Sequence, residues 1–168
     1  MDTNPVININ GLVKKFPVGK SFFTALNGID LHFGSGEFAG LIGPSGSGKT
    51  TLLNIIGSLD VPTEGEVHVL GNAVGQLTAI EAARLRREHL GFIFQSYNLL
   101  AVHTVYENVE FPLLLLKKGI EERHRMVMDA LEWVGLTEKM KSKPPQLSGG
   151  QCQRVAIARA MVKRPALV

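Results

Sequence analysis

The residues best suited to chemistry form a glycine-rich segment with the sequence GPSGSGKT. It fits the pattern G-x-x-x-x-G-K-[ST], in which glycines let backbone N–H groups close on an anion without interference from a Cβ atom. Lys49 is expected to reach the β- and γ-phosphates as a point charge, and the Thr50 hydroxyl to ligate Mg²⁺. The segment therefore predicts a site for a nucleoside triphosphate. The residues assigned to it are Gly43, Pro44, Ser45, Gly46, Ser47, Gly48, Lys49, Thr50 and Thr51.

The segments on both sides of this phosphate loop are those that it needs. Residues 38–42 (FAGLI) are apolar or small on both faces, which predicts a strand buried in a parallel sheet. Residues 51–56 are apolar enough to open a buried helix. A helix that begins near Gly48 would turn its unpaired N–H groups and its positive dipole end toward the phosphates. A flexible Gly/Ser loop that ends in a solvated lysine is the weaker interpretation.

A second glycine-containing loop occurs late in the chain, at Leu147 to Gln151 (LSGGQ). Small and apolar residues recur at helical spacing in the segment that follows, residues 152–162. The loop is therefore predicted to open a helix, and a helix N-terminus can bind an anion.

The rest of the chain alternates strand and helix signals and then becomes helical. Residues 6–16 are predicted to be a strand near a sheet edge, and residues 90–94 a buried strand that ends at Gln95. Thr78 and Glu81 have the spacing of a helical capping box. Strand signals stop from Ser96 to about Pro145, and residues 121–134 carry apolar side chains at helical spacing, which predicts a helical insert. Further strands are expected within residues 26–33 and 66–71.

Composition narrows the classes of function. The chain has 168 residues, of which 45% are hydrophobic, enough for a real core. A net charge of +3 comes from basic and acidic side chains spread along the chain, with no basic stripe for nucleic acid. A single cysteine, Cys152, excludes an internal disulfide and a cysteine zinc site. We also expect no secretory signal and no membrane-spanning segment.

The phosphate loop, the strand that ends in Gln95, the helical insert and the LSGGQ loop together resemble the nucleotide-binding subunit of ATP-binding-cassette (ABC) transporters. Residues 43–50, 53–60, 91–95 and 107–109 look most like the branch that contains lipoprotein-releasing and macrolide-export ATPases. The resemblance implies an α/β fold: a P-loop NTPase core with an antiparallel β subdomain and an inserted α-helical subdomain. It divides the chain into an ATP-binding core with the β subdomain (1–95), a helical signature subdomain (96–150), and a signature helix that returns to the core (151–168).

The resemblance also assigns roles to single residues. Phe16, which could otherwise be a core aromatic, stands where the family stacks an aromatic side chain on adenine. Gln95 matches the glutamine that touches Mg²⁺ and the attacking water, so it joins Lys49 as a catalytic residue and Thr50 as a metal ligand. The implied cofactors are ATP and Mg²⁺.

The family's partners are implied as well. Related proteins pair head to tail, so Ser148, Gly149, Gly150 and Gln151 are expected to contact the γ-phosphate of an ATP bound by a second copy. ATP would then hold the dimer together until it is hydrolysed. Residues 97–116 are expected to face an integral membrane permease, although each apolar side chain there could equally be helical core. The implied location is cytoplasmic, peripheral on the inner face of the cell membrane, and no nucleic acid is expected as a partner.

The family's acidic residues for Mg²⁺ and water activation lie in a strand that begins near Leu167, and we expect them beyond Val168. The chain is thus expected to be incomplete at its C-terminus and unable to hydrolyse ATP. An alternative is a soluble ABC protein that acts on ribosomes or DNA. A small-molecule kinase or GTPase would leave the LSGGQ loop without a role.

Overall fold

The computed structural model describes residues 5–168, and the chain divides into two compact units, one up to Arg86 and one from Arg87 to Val168. The first unit contains an antiparallel sheet and the helix after the phosphate loop, and the second contains three packed helices. The resemblance divides the chain into three parts by their expected function, whereas these two units are defined by compactness. The three-part division stays a prediction.

The sheet of the first unit has four strands in the order β2-β1-β3-β4. They are β1 (Ile7–Val18), β2 (Ser21–Phe33), β3 (Glu64–Val69) and β4 (Asn72–Ala73). The prediction of a strand near a sheet edge is confirmed, because β1 lies next to the edge strand β2 and pairs with β3 on its other side. Pro17 has no N–H to donate to a neighbouring strand, and β1 tolerates it because β3 pairs with β1 only as far as Val13. Beyond that residue β1 has a single neighbour.

The core of this unit is apolar and draws on strands and helix. Ile9 and Leu12 of β1 and Val69 of β3 are almost completely buried. Helix α1 (Lys49–Ile56) contacts β2 and β3 and buries Leu52, Ile55 and Ile56. The apolar spacing after the phosphate loop therefore predicted the helix correctly. A second helix, α2 (Ala79–His89), begins after Thr78: the Thr78 N–H donates to the Glu81 carboxylate at 2.8 Å and the Thr78 hydroxyl oxygen accepts the Glu81 N–H at 3.3 Å, as the predicted capping box requires.

Two predicted strands are absent from the described residues. Residues 38–42 form no strand, and Phe38 and Ile42 are fully exposed. Residues 90–94 make only a single parallel bridge, between Leu90 and Leu167. The physical reason is that a parallel strand exists only when neighbouring strands supply its hydrogen bonds, and apolar composition cannot supply them.

The second unit is built from α3 (Val105–Leu115), α4 (Ile120–Trp133) and α5 (Gly149–Met161). The helix predicted at residues 121–134 is thus confirmed as α4. The three helices share one apolar cluster, made of Val105, Val109, Leu113, Val127, Leu131, Leu136, Val155, Ala158 and Val162. Within residues 5–168, no helix is both long and apolar enough to cross a membrane.

Candidate functional site

The phosphate loop runs directly into α1 through Gly48. Gly48 is the N-cap of the helix, has φ of 87°, and offers no side chain to cap it. The first amides of the helix, from Lys49 onward, therefore have neither an intrahelical acceptor nor a capping oxygen, which leaves them available to an anion.

Two glycines of the loop are required by its conformation. Gly46 and Gly48 have φ of 82° and 87°, in the left-handed region that other residues avoid. A Cβ atom on Gly48 would also lie 2.8 Å from the Ala25 carbonyl oxygen and from a methyl group of Leu26. The loop thus needs glycine at Gly48 both for its backbone conformation and for its close approach to β2.

Lys49 extends back over the loop rather than into solvent. Its Nζ donates to the carbonyl oxygens of Gly43 at 2.8 Å and Pro44 at 2.7 Å, and lies 3.3 Å from the Ser47 hydroxyl. The ammonium group is therefore held at the mouth of the loop by weak neutral partners. A triphosphate would exchange those carbonyl contacts for stronger, charge-assisted ones.

Phe16 lies on β1, directly opposite Phe23 of β2. Its side chain is 36% exposed, so it is not a core aromatic, and its ring is open to a planar ligand. This exposure favours the base-stacking role that the resemblance implies over the core interpretation. The role itself stays a prediction.

The LSGGQ loop opens α5 as predicted. The Ser148 hydroxyl accepts the Gln151 backbone N–H at 3.3 Å, and the Gln151 side-chain oxygen accepts the Ser148 N–H at 2.8 Å. This reciprocal capping box orders the loop but leaves the Ser148 hydroxyl proton and the Gln151 amide N–H groups available to donate. Gly150 is exposed, and a Cβ there would meet no atom within 4 Å.

Gln95 is exposed and lies within a tight turn that the Tyr97 N–H closes on the Phe94 carbonyl oxygen at 3.0 Å. Two and three residues on, Tyr97 and Asn98 have positive φ of 60° and 47° although neither is glycine. Arg159 of α5 holds this turn, since its guanidinium donates to the carbonyl oxygens of Tyr97 and Asn98 at 2.6 Å each. Burial lowers the pKa of Arg159 below its usual range. The loop after Gln95 is thus tied to the helix that carries the LSGGQ loop.

Arg159 was not singled out from the sequence, where it is one polar residue in a helical pattern. Asn108 of α3 was missed for the same reason. It is completely buried and holds the backbone on either side of Val102: its side-chain oxygen accepts the Leu100 N–H, and its amide donates to three carbonyl oxygens. In the sequence, this role is indicated only by an asparagine at a helix position whose neighbours on the same face are apolar.

The segment expected to face a membrane partner separates into core and surface. Leu113 is completely buried, and Leu99 and Leu116 pack against the helical core. The exposed apolar side chains are Leu100, Val102, Phe111, Leu114 and Leu115. Helical geometry explains the division, because Leu113 follows Val109 by one turn whereas Leu114 and Leu115 point elsewhere.

The residues present fit a nucleotide with Mg²⁺ at the phosphate end. The fit rests on the loop's donors: an ammonium group at its mouth and helix amides without side-chain caps. Thr50 belongs to the first turn of α1 and is exposed, so its hydroxyl is accessible to a metal ion at the phosphates. Thr50 and Gln95 belong to different units, and their joint metal site stays a prediction.

Comparison with known proteins decides the family. The ABC transporter family profile matches residues 26–168. The chain belongs to the ABC transporter family. Its architecture is accordingly the α/β fold of ABC ATPase cassettes, with an antiparallel sheet and a helical part.

Individual relatives agree with this assignment. The chain is 42% identical over 167 residues to an uncharacterized ABC transporter ATP-binding protein, MJ0796, of Methanocaldococcus jannaschii, covering 97% of this chain and 71% of that protein. It is 43% identical to the lipoprotein-releasing system ATP-binding protein LolD of Alcanivorax borkumensis, covering 99% of this chain and 73% of LolD. It is 45% identical to the macrolide export ATP-binding/permease protein MacB of Marinobacter nauticus, where the whole chain spans only 26% of MacB.

A solved structure of the MJ0796 cassette is similar to this chain in both fold and sequence. It is described as a dimeric, post-hydrolysis state of the MJ0796 cassette bound to ADP and Pi, and it superposes with a TM-score of 0.87 at 42% identity. The superposition covers 95% of this chain and 70% of the solved one.

Proposed function

We propose that this ABC cassette binds Mg-ATP through residues 43–51 and powers a membrane transport system related to the MacB and LolD systems. The observation that carries the proposal is the position of Lys49: its ammonium lies over the loop, next to helix amides that have no side-chain cap. Cation and amides together form a site for the β- and γ-phosphates. Phe16 takes the base, and Thr50 with Gln95 takes the metal.

The second part of the proposal is head-to-tail pairing. Ser148, Gly149, Gly150 and Gln151 of one copy contact the γ-phosphate held by Lys49 of another. The capped, exposed start of α5 supports this, because it presents ordered donors toward solvent. The MJ0796 cassette, a relative with 42% identity, has been solved as a dimer bound to ADP and Pi.

Hydrolysis of ATP in the whole protein would release the dimer and so move the membrane partner. Mg²⁺ supplies charge neutralisation of the phosphates when it is bound. In this chain Gln95 orients the attacking water, but none of the residues assigned to the site supplies the carboxylate that the family uses to polarise it. We therefore predict that the 168-residue chain binds ATP without releasing phosphate. Phosphate release that disappears in Lys49→Ala would contradict this.

The partner is proposed to be an integral permease, contacted through the exposed apolar side chains of residues 100–115. The cassette would then be peripheral on the cytoplasmic face of the membrane. Co-purification of the whole protein with an integral membrane protein supports this, whereas recovery with ribosomes would favour the alternative of a soluble ABC protein.

Calorimetric titration with Mg-ATP tests nucleotide binding. Lys49→Ala removes charge-assisted contacts to phosphate, so we expect affinity to fall by about 10- to 100-fold. Lys139→Ala, at an exposed lysine of the second unit, is the matched control and should bind like the unmodified chain. Equal affinity of Lys49→Ala and the control would overturn the proposed site.

A further inference from the structure

A buried lysine lies directly beside the exposed aromatic of the proposed base site. Lys14 is only 8% exposed, although it stands two residues before Phe16 on β1. Its ammonium group contacts three partners: the Asp60 carboxylate at 2.5 Å, the Val61 carbonyl oxygen at 2.8 Å, and the Phe16 ring, whose centroid is 5.0 Å away. A cation at that distance from an aromatic ring is attracted by the negative face of its π-system.

The carboxylate partner connects this lysine to the phosphate-binding helix. Asp60 follows α1, and its backbone N–H donates to the Asn54 carbonyl oxygen of that helix at 3.2 Å. Its side chain also accepts the Val61 N–H at 2.7 Å, which fixes the carboxylate. The Lys14–Asp60 ion pair therefore joins the strand that carries Phe16 to the far end of the helix that begins at the phosphate loop.

Phe16 stands where the sheet gives β1 only one neighbouring strand. β1 has no pairing with β3 beyond Val13, so only β2 flanks the strand at Phe16. The cross-strand neighbour, Phe23, is itself 56% exposed. The Lys14 ammonium, 5.0 Å from the ring centroid, thus adds a held neighbour to the ring where the sheet supplies only β2.

We propose that Lys14 is a positioning residue for the nucleotide base: with Asp60 it holds the Phe16 ring in the orientation that stacks on the base. This rests on the proposed function, in which Phe16 takes the base. It makes Lys14 matter for ligands that have a base and not for those that have only phosphates.

The neighbouring lysine provides a matched control. Lys15 is on the same strand, but its ammonium group pairs with exposed Glu64 at 2.6 Å, and its backbone N–H donates to Thr63. Lys15→Met therefore makes the same change in charge and shape as Lys14→Met at a position that serves no role in the proposed site.

The test is calorimetric titration of the 168-residue chain with two probes, Mg-ATP and inorganic tripolyphosphate with Mg²⁺. Lys14→Met is expected to weaken ATP binding by about three- to fivefold and to leave tripolyphosphate binding unchanged. Lys14→Arg keeps a cation beside the ring and should restore most of the ATP affinity. Lys15→Met should match the unmodified chain with both probes.

An equal loss for both probes in Lys14→Met, or no loss for either, overturns the inference. If circular dichroism shows that Lys14→Met is unfolded, Asp60→Asn replaces it, with the same ATP-specific loss expected because the ammonium is no longer held. Failure of the proposed function looks different: tripolyphosphate binding would then be insensitive to Lys49→Ala, whatever Lys14 does.

Discussion

Replacing Arg159 by methionine is expected to loosen the turn after Gln95 and to destabilise the helical unit. Arg159 makes two hydrogen bonds of 2.6 Å to the carbonyl oxygens of Tyr97 and Asn98. Both residues have positive φ, a conformation that asparagine tolerates but that costs free energy for a bulky residue such as Tyr97, so the turn gains from outside support. Methionine keeps the length of the side chain and removes both donors.

The size of the effect follows from these contacts. A hydrogen bond with a charged donor contributes about 1.5–3 kcal/mol, and Arg159 is only half-buried, so the lower value applies. Two such bonds give a loss of about 3 kcal/mol in the free energy of unfolding. With an m-value of about 1.5 kcal/mol per M for a unit of this size, the urea midpoint should fall by about 2 M.

Urea unfolding followed by circular dichroism measures this loss. The chain has a single tryptophan, Trp133 at the end of α4, so its fluorescence reports on the helical unit separately. Arg154→Met, at an exposed position of the same helix, is the matched control and should change the midpoint little. If Arg159→Met and Arg154→Met unfold at the same urea concentration, Arg159 does not hold the turn.

Three further predictions concern other parts of the structure. Asn108→Ala leaves the part-buried Leu100 N–H without its acceptor and removes three donated hydrogen bonds to backbone carbonyls, so urea unfolding should show a loss of about 3 kcal/mol. Gly48→Ala forces a Cβ to within 2.8 Å of the Ala25 carbonyl oxygen and should lower the affinity for Mg-ATP in calorimetry. A Cβ at Gly150 meets no atom within 4 Å, so Gly150→Ala should leave the urea midpoint unchanged. The Thr104 backbone N–H and hydroxyl hold the pKa of Glu107 below its usual 4.5. The stabilisation from that carboxylate is therefore complete above the unfolded pKa and is lost as pH falls through the lower folded pKa. Glu107→Gln should flatten this part of the dependence of the urea midpoint on pH.

Local signals in the sequence predicted the elements whose hydrogen bonds are local. The helix after Gly48, the capped start of α5 and the helix at residues 121–134 all follow from spacing and capping, because a helix satisfies its own backbone. The segments 38–42 and 90–94 were mistaken for paired strands, since their apolar composition says nothing about which neighbour is present to bond them.

The supporting residues of the site could not be predicted from the sequence. Lys14 looks like any polar residue of an alternating strand, and its burial follows only from where Asp60 is placed, 46 positions along the chain. Arg159 likewise gains its role from a turn 61 and 62 positions away. Motif residues can be recognised from their spacing along the chain. Supporting residues depend on long-range contacts, which one sequence does not reveal.

Sedimentation velocity of the chain with Mg-ATP tests the central claim most directly, namely that Lys49 of one copy and Ser148 of another hold the same triphosphate. Because we predict no hydrolysis by this chain, the nucleotide should persist and the dimer accumulate. We predict that ATP doubles the mass of the unmodified chain, while Ser148→Arg binds ATP through its intact phosphate loop and remains a monomer. Dimerisation of Ser148→Arg to the same extent, at the same ATP concentration, would contradict the account.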